Sequence, residues 1–210
     1  MNEVVEITDH CKVKDRLVTV NDNVRFRGEK AESFGSFAKA YYRELGLKYP
    51  KFHKMDNLSK LGFLAAESLL QEVESFEGVD KAKTGIFLSN AYSCLDTDER
   101  YYNSITDIPS PGLFVYTLPN ILIGEICIRH KITGEHAFFL SEQFDLAFVC
   151  QYVTDLFRRG QLEGALVGWV EYYDVNCQAF LMWLEPQKRN ESNRVFTPEN
   201  ALKLFEDIRP

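Results

Sequence analysis

ITGEHAFFLSEQFDLAFVCQYVTDLFRRGQLEGALVGWVE, from Ile132 to Glu171, is the stretch whose reading decides the fold. Gly134 opens it, and Ala137 to Leu140 read as a short apolar strand. Ser141-Glu142-Gln143 is a polar step, after which Phe144 to Arg159 carry apolar residues at helical spacing. Leu146, Val149, Cys150, Val153, Leu156 and Phe157 make one stripe of that helix, and Phe144, Ala147, Phe148 and Tyr152 make another. A helix apolar on two faces belongs in the middle of a protein. Ser141 can cap its start, Asp145 suits the first turn, and Arg158 and Arg159 suit the last turn before Gly160. Ala165 to Tyr173 then read as a strand. Gln178 to Leu184 pair with it antiparallel across the turn Asp174-Val175-Asn176.

Working outward, Glu3 to Ile7 read as a short strand and Leu17 to Val20 as extended. A helix is predicted over Ser33 to Leu45, stopped by Gly46, and a second from an Asp56 cap to about Val73. Lys83 to Asn90 read as a buried strand, the segments around Asp96 to Ser104 as surface or loop, and Ser110-Pro111-Gly112 as a turn. Leu118 to Arg129 read as a helix that tolerates Pro119 in its first turn. Pro186 to Arg194 read as a polar loop, and Thr197-Pro198-Glu199 as the start of a final helix. The order β-α-β-α-β-α-β-β is that of an α/β layer.

The 210 residues carry a net charge of −7, which excludes nucleic acid as a main partner, because phosphate binding needs a basic footprint. Lys12, Lys14 and Arg16, and Arg158 and Arg159, are only local basic patches. Cys11, Cys94, Cys127, Cys150 and Cys177 are scattered with no CxxC, which fits reduced thiols and a cytoplasmic location. Met1 to Cys11 lack the charged and apolar regions of a signal peptide. The apolar run Gly112 to Ile128 contains Pro119, Asn120 and Glu125, so it reads as a buried helix, with no membrane span expected.

The Ile132–Glu171 stretch resembles the core of β-ketoacyl synthases, enzymes that condense acyl thioesters carried on acyl carrier protein. KMDNLSKLGFLAAESLL (Lys54 to Leu70) is similar to that family's Lys-Met-Asp helix opening. KTGIFLSNAYSCLDTDERYYNSI (Lys83 to Ile105) is similar to its second strand and Thr-Asp segment. TLPNILIGEICIRHKITGE (Thr117 to Glu135) resembles its Pro-Asn helix, and CQAFLMWLE (Cys177 to Glu185) its fifth strand. The resemblance implies one half of a thiolase fold: a five-stranded mixed sheet with helices on both faces. It further implies one unit over residues 1–210, with a core over 4–185 and a C-terminal loop and helix over 186–210.

In that family a cysteine nucleophile stands at the start of the central helix. The position here is Gln143, whose amide has no ionisable nucleophile and forms no acyl-enzyme. No catalytic residue is therefore assigned. Ser141, Glu142, Phe144 and His136 are candidate pocket residues around Gln143. His136 could suggest a base for Ser141, but strand alternation puts the two on opposite faces. Asp9, His10 and Cys11 lack a second pair at metal-ligand spacing, and Cys150 lies on the apolar stripe. No cofactor and no metal are expected.

The resemblance implies a truncated, chain-length-factor-like subunit that pairs with an active ketosynthase in fatty acid or polyene/polyketide biosynthesis. The half that would bring catalytic histidines is expected to be missing. Ala137, Phe138, Phe139, Leu140 and Ser141, the strand before Gln143, are the expected interface. The partner there is a full-length ketosynthase or a second copy of this chain, with acyl carrier protein a further candidate. The rivals are a stand-alone malonyl decarboxylase or thioester hydrolase, and a homodimeric acyl- or carrier-protein-binding module. An uncovered face of the central helix would forgo on the order of 10 kcal/mol, at about 25 cal/mol per Å². A partner is therefore expected over it, or a cover made by the C-terminal helix and the Ser33–Leu45 helix.

Overall fold

The computed structural model describes residues 4–29, 32–105, 108–174, 176–187 and 194–206. The chain opens on three strands, β1 (Val5–Lys14), β2 (Leu17–Val20) and β3 (Asn23–Arg27). Two-residue turns join them. Asp15-Arg16 and Asn21-Asp22 each take φ of 50° and 63°, the left-handed pair that matches the twist of a tight hairpin. There follow α1 (Phe34–Glu44), α2 (Asn57–Leu70), β4 (Thr84–Asn90) and α3 (Leu95–Ile105). Next come the one-turn α4 (Pro111–Phe114), α5 (Asn120–His130) and β5 (His136–Leu140). The chain ends with α6 (Leu146–Arg158), β6 (Gly164–Tyr173), β7 (Asn176–Pro186) and α7 (Pro198–Glu206).

The seven strands among the described residues form one sheet, in the order β3-β2-β1-β7-β6-β4-β5. β4 runs parallel to β5 and β6, while β7 is antiparallel to β6 and β1. The sheet is mixed, as expected, but two strands wider than the expected five. The excess is the β2–β3 hairpin, and β1 itself runs on to Lys14 instead of stopping at Ile7. Polar residues hide this extension in the sequence. His10 is fully buried and Lys12 nearly so. Both reach Asp22 Oδ1 in the second turn, at 3.1 Å from His10 Nε2 and 3.1 Å from Lys12 Nζ. A buried charge needs a partner of this kind.

Helices cover both faces. On one, Phe37, Tyr41, Leu61, Leu64, Leu122 and Ile126 of α1, α2 and α5 pack on Val13, Ile86, Leu88 and Trp183. On the other, Val149, Val153 and Phe157 of α6 and Ala201 and Phe205 of α7 pack on Phe87, Val167, Phe180 and Met182. β4, β6 and β7 are thus apolar on both sides, which is why they read as continuous hydrophobic runs. α1 lies on the opposite face of the sheet from α6, so it forms no cover for α6. α7 does pack on that side, beside α6.

Two close approaches fix the layers. A Cβ at Gly62 would stand 2.6 Å from a Leu122 methyl, so α2 and α5 meet there. A Cβ at Gly134 would fall 2.4 Å from the Thr84 carbonyl, so the turn into β5 passes against the start of β4. The segment expected to be surface or loop, Asp96 to Ser104, lies at the surface but as helix α3, of which only Thr97 is buried. Ser110 caps the short α4 by accepting from the Leu113 amide at 3.3 Å, so this part of the chain is more than a turn. Glu3, Val175 and most of the predicted Pro186–Arg194 loop lie outside the described residues. Among the described residues no helix is long and apolar enough to cross a membrane.

Candidate functional site

The site lies where β5 hands over to α6. Asp145, not Ser141, caps the helix: its Oδ1 accepts from the Phe148 amide at 3.0 Å. Ser141 instead donates its hydroxyl to the Gln143 carbonyl at 2.7 Å. The helix therefore begins at Leu146 rather than Phe144. Gln143 sits on a bend two residues before the cap and is exposed, as is Glu142. The expectation of an amide at the mouth of a buried helix is corrected in this respect: the position approaches the helix start but faces solvent.

Phe144 points the other way. It is buried, with its ring 5.8 Å from Trp169 and 5.5 Å from Phe205. This one aromatic anchors the bend to β6 and α7. His136 is exposed at the far end of β5. Roughly 13 Å of extended strand separates it from Leu140, so it is not part of the same site. Ser141, Glu142, Gln143 and Phe144 are brought together by the bend, and His136 is not.

The neighbourhood holds no activated nucleophile. Burial pushes Cys11 and Cys150 up to about 12 and Cys94, Cys127 and Cys177 up to about 11, so all five thiols stay protonated near neutrality. His10 is held by Asp22, and Asp9 accepts from the Asn21 amide at 2.8 Å. Among the described residues no group of three His, Cys, Asp or Glu side chains is arranged to hold a metal ion.

Two residues that sequence reasoning passed over lie at the end of β6, on the face turned to α6. Glu171 is buried, and its Oε2 accepts from the Ala91 amide at 2.8 Å. Its Oε1 has no hydrogen-bond partner, and neither does the buried Trp169 Nε1. Burial pushes the Glu171 carboxyl above the usual carboxylate range, against the pull of the Ala91, Tyr92 and Tyr172 amides. The sequence did carry a signal: Glu171 is the one charge in an otherwise uncharged strand.

β5 is an edge strand, paired with β4 on one side only. Phe139 stacks edge-on with Phe148 at 5.0 Å and with Tyr152 at 5.6 Å. Leu140 is 59% and Phe148 44% exposed, so of the second apolar stripe of α6 Ala147 and Phe148 are open, while Phe144 is buried and Tyr152 half-buried. Tyr102, Ile105, Ile108, Phe114, Val115 and Leu118, on and around α3 and α4, are exposed too. Glu125 holds that lobe to α5. It is buried and accepts from Tyr116 at 3.1 Å and Tyr49 at 3.3 Å, with Lys51 Nζ at 3.0 Å. Unpaired strand edges and exposed apolar side chains are features that interfaces use.

No known family model matches the chain, and no curated protein matches it. Solved structures do. The ishigamide ketosynthase/chain length factor aligns with a TM-score of 0.61 at 17% identity, over 91% of this chain and 64% of that one. The AntDE:AntF complex, a type II polyketide synthase carrier protein with its ketosynthase bound to a hexaketide, aligns at 0.62 and 12% identity, over 89% and 63%. The chain thus spans just under two thirds of these two structures. The ketosynthase ApeO in complex with its chain length factor ApeC, from Xenorhabdus doucetiae, aligns at 0.61 and 14% identity, over 98% of this chain and 92% of that chain. At such identities the likeness is one of fold: this chain is folded as ketosynthases and chain length factors are.

Proposed function

We propose that this chain is a non-condensing, chain-length-factor-like subunit that pairs with an active ketosynthase through β5, in fatty acid, polyene or polyketide synthesis. The observation that carries the reading is the open edge of β5 beside the exposed Phe148 ring of α6, with an inert carboxamide at Gln143. A strand edge offers unpaired amides and carbonyls in register, and Phe139, Leu140 and Phe148 add apolar surface next to them. A partner strand satisfies the first and covers the second. A chain length factor works by shaping its partner and needs no nucleophile of its own, so Gln143 is compatible with that role. A decarboxylase or hydrolase would need a base near Gln143, and His136 stands at the wrong end of the strand. Acyl carrier protein is reached through the ketosynthase, since the net charge of −7 gives no broad attraction for an acidic carrier.

The test is co-expression with a full-length ketosynthase and a carrier protein. A one-to-one complex, with changed condensation rate or product length, is expected. A chain that pairs only with itself, or leaves the ketosynthase's products unchanged, overturns the proposal.

A further inference from the structure

The flank of α6 turned away from β5 borders a second concavity. A groove of about 520 Å³ runs between α6 and the Val195–Pro198 segment, with Val4 and Val5 alongside. Val5, Cys150 and Phe196 form its buried floor. Ala147, Gln151, Thr154 and Arg158 border it at one-face helical spacing. The groove therefore follows the helix axis for roughly 16 Å, at 1.5 Å per residue. Its volume is that of a small-molecule site.

Its ends differ in charge. Arg158, at the C-terminal end of α6, is exposed and has no acidic partner among the described residues. The neighbouring Arg159 is already taken by Asp155 at 2.5 Å. Glu199, in the first turn of α7, acts on Cys150, adding to the rise that burial begins there. Among the described residues that line it, the groove thus has one cation, Arg158, at one end and an apolar floor leading away from it. A chain with one anionic head fits with its head at Arg158 and its tail away from it. The planar guanidinium matches a carboxylate fork.

We propose that this groove binds a free medium-chain fatty acid, with its carboxylate on Arg158 and its chain over Cys150 and Phe196. The site is independent of Gln143 and of pairing at β5, which lies four strands away from β1 in the sheet. The experiment is calorimetric titration of the full chain with decanoate, and with 1-decanol and decyltrimethylammonium as neutral and cationic chains of equal length. Decanoate is expected to bind tightest. Arg158→Gln, at an exposed position, should weaken decanoate about ten-fold and leave 1-decanol unchanged. Thr154→Trp should block both, with melting curves showing that each variant folds. Bound decanoate should also slow alkylation of Cys150. The proposal is overturned if decanoate binds no tighter than decyltrimethylammonium. It is overturned equally if Arg158→Gln weakens decanoate and 1-decanol alike, or if anionic phospholipid vesicles bind while monomeric decanoate does not.

Discussion

Asp56 accepts a hydrogen bond from the Thr97 hydroxyl at 2.8 Å through one carboxylate oxygen and caps α2 with the other, which takes the Ser59 amide at 2.9 Å. Both side chains are buried. The bond ties the start of α2 to the first turn of α3, and through α3 it places the exposed lobe around Tyr102 and Phe114. Asp56→Ala removes a cap and leaves the Thr97 hydroxyl buried without an acceptor. It should cost about 2 kcal/mol, and Thr97→Val about 1 kcal/mol, in urea unfolding. If Asp56→Ala costs no more than a surface substitution, the tie is not structural.

This bond also shows what the sequence could and could not disclose. Asp56 was legible as a cap, because it precedes a long apolar run. Its partner was not. α3 buries only Thr97, so it has no apolar stripe to reveal a helix and is held by a polar contact with a residue far back in the chain. Leu17 to Val20 were legible as extended and are β2, but β3 and the length of β1 escaped for a related reason: β1 buries His10 and Lys12, which break the apolar alternation and are satisfied by Asp22 in the second turn. At the candidate site Ser141 and Asp145 are both competent caps, and sequence does not rank them. The choice of Asp145 moves the helix start and turns Gln143 outward. The strand–helix–strand order from Gly134 to Tyr173 was legible because each element buries a regular apolar face. Which sheet face each helix covers is a matter of chain crossover, so α1 could not be separated from α6 by pattern.

Glu67 should make the protein acid-sensitive. It is buried, with Arg129 Nε 3.0 Å and His130 Nε2 2.9 Å from Oε1. His130 Nε2 lies close to Oε1 without full hydrogen-bond alignment. Burial alone would raise the Glu67 carboxyl, but His130 and Arg129 outweigh it and hold it below the ordinary value. A depressed folded-state pKa means that the unfolded chain takes up the proton first as pH falls. The contribution of Glu67 is therefore complete above the unfolded value of about 4.3 and drains away as pH falls through the folded one. Glu67→Gln should lower stability by roughly 2 kcal/mol at pH 7, with the gap to wild type closing in thermal melts run at successively lower acidic pH. A gap that stays constant would show that shape, not charge, accounts for the loss.

Charge placed on the open edge should separate association from folding. Leu140 is 59% and Phe148 44% exposed, so Leu140→Lys should change the stability of the isolated chain by no more than about 0.5 kcal/mol, and Phe148→Glu, which gives up ring contacts with Phe139 and Tyr152, by about 1 kcal/mol. Each puts a charge where a partner strand or its apolar neighbour would sit, which costs association heavily. Loss of the proposed ketosynthase complex in size-exclusion runs, with melting that is unshifted for Leu140→Lys and still cooperative for Phe148→Glu, is the expected pair of results. Retention of the complex by both variants would move the interface elsewhere, with the lobe around Ile108 and Phe114 the next surface to test.

A thiol placed at position 143 should not become an activated nucleophile. In Gln143→Cys the sulfur would stand on an exposed bend ahead of the Asp145 cap, whose carboxylate already takes the Phe148 amide. A thiolate is stabilised when it occupies the helix start itself and receives those amides. Here the adjoining Glu142 and Asp145 carboxylates oppose it. The new cysteine should alkylate as an ordinary exposed thiol does, faster than Cys11 or Cys150, which burial pushes up to about 12. It should take no acyl group from an acyl thioester, read as the absence of a mass increment after incubation. Rapid acylation of Gln143→Cys would mean that the bend rearranges to present position 143 to the helix amides. The outward amide seen here would then be one of two conformations.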